Sequence, residues 1–144
     1  MARTILRAGA AVWLLAGVAG LALAILGTDW LLGVLPPLAI GADALSRAVG
    51  AFSFGLLVIG AAHVAVLSGL RARARWGHSA GVLLAAVLAA ALLSLGAAGV
   101  TSAVSRPQAA AALIGSGMAA LGCAALYALT AARLVGELRT RSPT

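Results

Sequence analysis

The sequence predicts an all-α fold: a polytopic membrane protein built as a bundle of four transmembrane helices. Three observations predict it. Of the 144 residues, 63% are hydrophobic and only 9% are charged, against about 25% charged in an ordinary soluble domain. The mean hydropathy is +1.12, far above what disorder permits, and a chain this short leaves much of its surface uncovered when it folds in water. The charges also do not scatter. They fall between long uncharged stretches, and in lipid such stretches become helices because the backbone must satisfy its own hydrogen bonds.

The first stretch runs over residues 8–28, between Arg7 and Asp29. The second covers 48–70, between Arg47 and Arg71. The third covers 79–105, from beyond His78 to Arg106, and the fourth 107–132, between Arg106 and Arg133. Each exceeds the roughly 20 residues needed to cross the hydrocarbon core. Together they predict a single transmembrane domain over 1–144. Residues 29–47 are expected as an interfacial loop. Its apolar part, Trp30 to Ala42, is too short to span and carries Pro36 and Pro37 in its middle. Consecutive prolines remove two backbone donors and push the preceding residue out of the helical region. A re-entrant segment is the competing reading. At the N-terminus the competitor is a signal peptide, with Ala22-Leu23-Ala24 as its cleavage site. The first apolar stretch is, however, longer than the usual 7–15 residue core of such a peptide.

Orientation follows from Arg. Arg3, Arg7, Arg71, Arg73, Arg75, Arg133, Arg139 and Arg141 fall on one side of the four spans, and Arg47 and Arg106 on the other. The positive-inside rule then places both termini in the cytoplasm. The net charge of +7 would suggest nucleic acid in a soluble protein. Here the Arg residues alternate with spans instead of sharing one basic face, so the expected partners are anionic lipid headgroups on the cytoplasmic side and no nucleic acid. Arg71, Arg73 and Arg75 alternate with Ala ahead of Trp76. This run is expected to contact lipid or a partner, at about 1 kcal/mol per Arg near an anionic surface.

Few residues could carry chemistry. His63 is the one strongly ionisable residue deep in a span, about 12 Å from the cytoplasmic edge at 1.5 Å per residue. Gly60 and Ser53 share its face. An ionisable group inside a membrane is a functional candidate, so His63 and Ser53 form a possible functional polar site. Packing, with a hydrogen bond to a neighbouring helix, is the alternative. His78 begins the third span at a different depth, which argues against a bis-His haem. Zinc needs three or four ligands, and no cluster supplies them. Cys123 is alone, which excludes an internal disulfide and a Cys-x-x-Cys centre, and its apolar setting predicts an inert, packed thiol. No catalytic residue, cofactor or metal is expected.

Small residues at four-residue spacing mark the last two spans, including Ala90 and Ser94 in the third and Ser116 and Ala120 in the fourth. Such ridges let helices approach closely in lipid, so these four residues are expected at the contact between spans three and four.

Residues 47–90 carry a resemblance. Arg47-Ala48-Val49-Gly50 opens the second span, and Gly69-Leu70-Arg71-Ala72-Arg73-Ala74-Arg75-Trp76-Gly77 leads into the third. The arrangement resembles small bacterial four-helix integral membrane proteins without assigned activity. It implies a four-helix fold in a bacterial inner membrane and carries over no catalytic residue. The chain departs from small multidrug transporters of similar size, which need a membrane-embedded Glu in the first helix. The function expected is a non-enzymatic accessory or scaffold subunit of a membrane complex, with a homo-oligomer or a larger assembly possible. The alternative is a small transporter or channel with His63 in the permeation path.

Overall fold

A computed structural model describes residues 1–27 and 41–140. All regular structure among them is helical: α1 (Ala2–Leu26), α2 (Ala42–Arg71), α3 (Arg75–Ser105), a 3-10 turn (Pro107–Ala109) and α4 (Ala110–Arg139). Each of the four long helices is long and apolar enough to cross a membrane. The central part of the expected interfacial loop, with Asp29, Trp30 and the two prolines, lies outside the described residues, as do Thr28 and the last four residues with Arg141.

The helices run past the uncharged stretches at nearly every end. α1 includes Arg3 and Arg7, α3 includes Arg75 to His78, and α4 continues to Arg139. Ala42 to Arg47, expected in the loop, form the first turns of α2. The reason is physical. A charge ends the lipid-compatible stretch, but it does not end a helix that has emerged into water. Asp43 sits in the first turn of α2 and Arg71 and Arg139 in the last turns of α2 and α4, where each complements the helix dipole.

The ends have identifiable stops. α1 ends at Gly27, whose φ of 106° suits only glycine without strain. α2 ends in a Schellman motif: the Ala74 amide donates to the Gly69 carbonyl at 3.0 Å and the Arg73 amide to Leu70 at 3.4 Å. The residue in the left-handed position is Arg73, with φ 53°, where glycine is usual. α3 stops at Arg106 (φ −134°, ψ 70°), and Pro107 then opens the 3-10 turn, a first position where its missing N–H costs nothing.

The chain divides into two compact units, Arg7–Val64, and Met1–Leu6 with Ala65–Thr144. In the first, α1 and α2 run antiparallel. Gly60 packs on Leu14, Gly17 on Leu57, and Gly20 on Ser53, while Gly50 meets Ala24. Ser46 Oγ donates to the Ala24 carbonyl at 2.9 Å. Glycine is needed here because a Cβ on Gly17 or Gly60 would fall within 3.1 Å of the facing helix's backbone nitrogen.

In the second unit, α3 and α4 form an antiparallel hairpin joined through the 3-10 turn, and they pack along their length. Gly81 lies against Leu134, Gly96 against Leu121 and Gly117, and Gly99 against Leu113, and the buried residues of the two helices include Ala85, Leu88 and Ala103 on α3 and Ala124 and Tyr127 on α4. Gly96 and Gly117 bring the two backbones together. A Cβ on either would lie 2.9 Å from the other's carbonyl oxygen. Near the start of α3, Gly77 packs directly on the backbone of Gly69 and Leu70. Leu6, Leu70 and Leu134 are the largest apolar side chains wholly buried in this unit.

Ala90 and Ser94 face away from the close-packed glycines, and Ser116 lines an open cleft between α3 and α4. All three are exposed, and Ala120 is half-buried. Both serines turn back on their own helices, Ser94 Oγ donating to Ala90 O at 3.0 Å and Ser116 Oγ to Ala112 O at 2.8 Å. A ridge of this kind leaves a helix contact for a geometric reason. A ridge of fixed four-residue steps rotates by about 40° per step on a helix of 3.6 residues per turn. A seam that stays in contact must alternate steps of three and four, as His78, Gly81, Ala85 and Leu88 do on α3.

Large apolar side chains remain exposed on all four helices, among them Leu15, Ile25, Phe52, Phe54, Leu83, Leu95, Met118 and Leu129. A water-soluble monomer rarely shows apolar surface on this scale.

Candidate functional site

Ser53 and His63 are both buried on α2. Ser53 Oγ donates to the Val49 carbonyl at 2.6 Å and fills the space beside Gly20 that a Cβ there would occupy. The His63 Nδ1 lies 2.8 Å from the Ile59 carbonyl four residues earlier, so Nδ1 carries the proton in this contact. Each polar group thus uses the carbonyl one turn before it. The two residues are ten positions apart, about 15 Å along the axis, and do not form one constellation.

Arg71, Arg73 and Arg75 are exposed around the three-residue link between α2 and α3. Trp76 is 55% exposed, with one edge of its ring against Gly69. The Schellman turn therefore presents three guanidinium groups and an indole together on the surface.

The site that sequence reasoning missed joins His78 and Glu137. His78 is completely buried at the start of α3. Its Nε2 lies 3.4 Å from Glu137 Oε2 on α4, and the Glu137 side chain is about half exposed. Its Nδ1 faces the Ala74 carbonyl at 3.3 Å. Close by, the Arg3 guanidinium donates to the Leu70 carbonyl at 3.3 Å. Thr130, two turns before Glu137, is buried and donates to the Leu126 carbonyl at 2.8 Å. The clue was in the sequence. Tyr127, Thr130, Leu134 and Glu137 repeat the three-four-three steps of His78 to Leu88, and Glu137 is the only glutamate in the chain.

A shallow cleft between α3 and α4 is lined by Leu95, Ala98, Gly99, Ser102, Leu113, Ser116 and Gly117. None of these is ionisable. Cys123 is exposed, not packed as its apolar surroundings in the sequence suggest, because its position falls on the outward face of α4. Among the described residues no three His, Cys, Asp or Glu side chains come together as a metal site would require.

The class this fold defines is a multi-pass, all-α protein with four candidate membrane-spanning helices. No protein-family model, no curated protein and no solved structure matches the chain.

Proposed function

We propose that the chain is a non-enzymatic accessory or scaffold subunit of a membrane complex, inserted in a bacterial inner membrane with both termini cytoplasmic. The observation that carries this reading is the outward placement of Ala90 and Ser94, with Ser116 open to the surface at the α3–α4 cleft. Small residues on an outer helix face leave room for close approach by another transmembrane helix. The orientation rests on the eight-to-two Arg distribution across the spans. On the cytoplasmic side Arg71, Arg73 and Arg75 hold anionic headgroups, and Trp76 anchors at the same level.

A small transporter or channel with His63 in its path is the competing reading. Against it, both Ser53 and His63 direct a polar atom to their own helix backbone, and they stand about three turns apart. Purification from native membranes in a mild detergent, without overexpression, separates the two. The expected result is a second membrane polypeptide in fixed stoichiometry, with the chain alone giving no ion or solute flux in liposomes. His63→Gln, which keeps hydrogen-bonding capacity, is expected to leave that assembly intact. A self-assembled species containing only this chain, with a flux abolished in His63→Leu, would overturn the reading.

A further inference from the structure

We propose that His78 and Glu137 form a one-proton site that clasps the start of α3 to the end of α4. The inference rests on the ring's two contacts and is independent of the accessory role. Nδ1 faces the Ala74 carbonyl at 3.3 Å, and Nε2 faces Glu137 Oε2 at 3.4 Å. A carbonyl and a carboxylate are both acceptors, while a neutral imidazole has a single N–H. If that hydrogen is on Nδ1, the Nε2 lone pair faces the lone pairs of an ionised Glu137. If it is on Nε2, the Nδ1 lone pair faces the carbonyl. Both contacts are satisfied only when the pair holds one additional proton. That proton makes either an imidazolium beside a carboxylate, or a neutral imidazole accepting from a carboxylic acid. In both forms a hydrogen lies between Nε2 and Oε2.

The surroundings suit a reversible site. His78 is wholly buried, so it cannot turn to water when the proton leaves. Glu137 is about half exposed, so it gives the proton a route to solvent and can swing away. Glu137 aside, the charged residues of the described sequence near this end are cations, Arg139 in the last turn of α4 among them. Arg75 precedes His78 by one turn on α3, Arg133 precedes Glu137 by one turn on α4, Arg71 ends α2, and Arg3 is held on the Leu70 carbonyl. Among the described residues none of these arginines pairs with Glu137, whose ion-pair partner is His78. Loss of the proton with the ring hydrogen kept on Nδ1, where the Ala74 carbonyl accepts it, leaves two acceptors facing each other at the end of the α3–α4 hairpin, and that end loosens.

The test uses the full chain in lipid nanodiscs. Cys123 is replaced by Ser, and spin labels are placed on the exposed residues Ser79 and Thr140. The label separation is expected to increase as pH rises, in a single one-proton step. Glu137→Gln is expected to abolish the step and keep the closed separation, because its amide N–H donates to a neutral Nε2 at any pH. Glu137→Ala is expected to give the loosened separation throughout. A pH-independent separation in the parent protein, or a step that survives in Glu137→Gln, would overturn the proposal. Nitrogen-15 NMR of His78 reads the same proton directly. A ring in one unchanged neutral tautomer, together with a Glu137 carboxylate that carbon-13 NMR shows ionised throughout the same titration, would also overturn it.

Discussion

Replacing Gly77 by Ala is expected to destabilise the protein more than any other single-methyl change near the Arg-rich end. A Cβ at Gly77 would lie 2.5 Å from the Gly69 carbonyl carbon, 2.7 Å from the Leu70 nitrogen and 2.8 Å from the Gly69 Cα. These are backbone atoms, so no rotamer change relieves the clash. Alanine improves helix propensity by about 1 kcal/mol over glycine, but overpacking costs typically about 1–3 kcal/mol and sometimes more. With three backbone contacts this short, the cost falls at or above the top of that range and outweighs the propensity gain. The turn from Arg71 to Arg75 would have to open, which would also disturb the buried His78 next to Gly77. Thermal unfolding in detergent checks this. The comparison is Gly122→Ala, where a Cβ meets nothing within 4 Å and the propensity gain should appear undiminished.

The second large effect is expected at the α3–α4 seam. Gly117→Leu places its Cβ 2.9 Å from the Gly96 carbonyl oxygen and 3.1 Å from the Val100 nitrogen, with three more carbons beyond. The helices must separate along the segment where they approach most closely, and a loss of about 3 kcal/mol or more is expected. Ala90→Leu is the control. Ala90 is exposed, so its replacement should stay within about 0.5 kcal/mol of the parent. Thermal stability in detergent should separate the two variants clearly. Equal loss in both would mean that the seam had been placed on the wrong faces.

These two variants show what the sequence could and could not reveal. The four helices were legible because length and apolar content alone decide them. Their ends were not, since charges at Arg7, Arg47, Arg75 and Arg133 mark where lipid compatibility stops, whereas backbone hydrogen bonding continues. That spans three and four pack together was legible from their short connection. The contacting face was not, because Ala and Ser outnumber Gly and form ridges on several sides of each helix. The glycines at 96, 99 and 117, where backbones approach, were the sharper guide. For the same reason His78 and Glu137 went unpaired. They lie near the ends of different spans, 59 positions apart, and only the register of the α3–α4 hairpin places them opposite each other. Ser53 and His63 are both buried on α2. Their separation along the axis, also readable from the sequence, keeps them from forming a joint site.

The central claim is that the outer small-residue faces belong to contacts with another membrane polypeptide. Its most direct test is a photocrosslinking residue at Ser94 or Ser116, introduced one at a time and activated in intact native membranes. The account predicts a discrete heteromeric adduct, containing this chain and one other membrane polypeptide, from at least one of these positions. A matched label at Ile25, on a large exposed apolar residue, should give mainly lipid adducts. Lipid adducts alone from both serine positions, with the same yield as at Ile25, would contradict the claim.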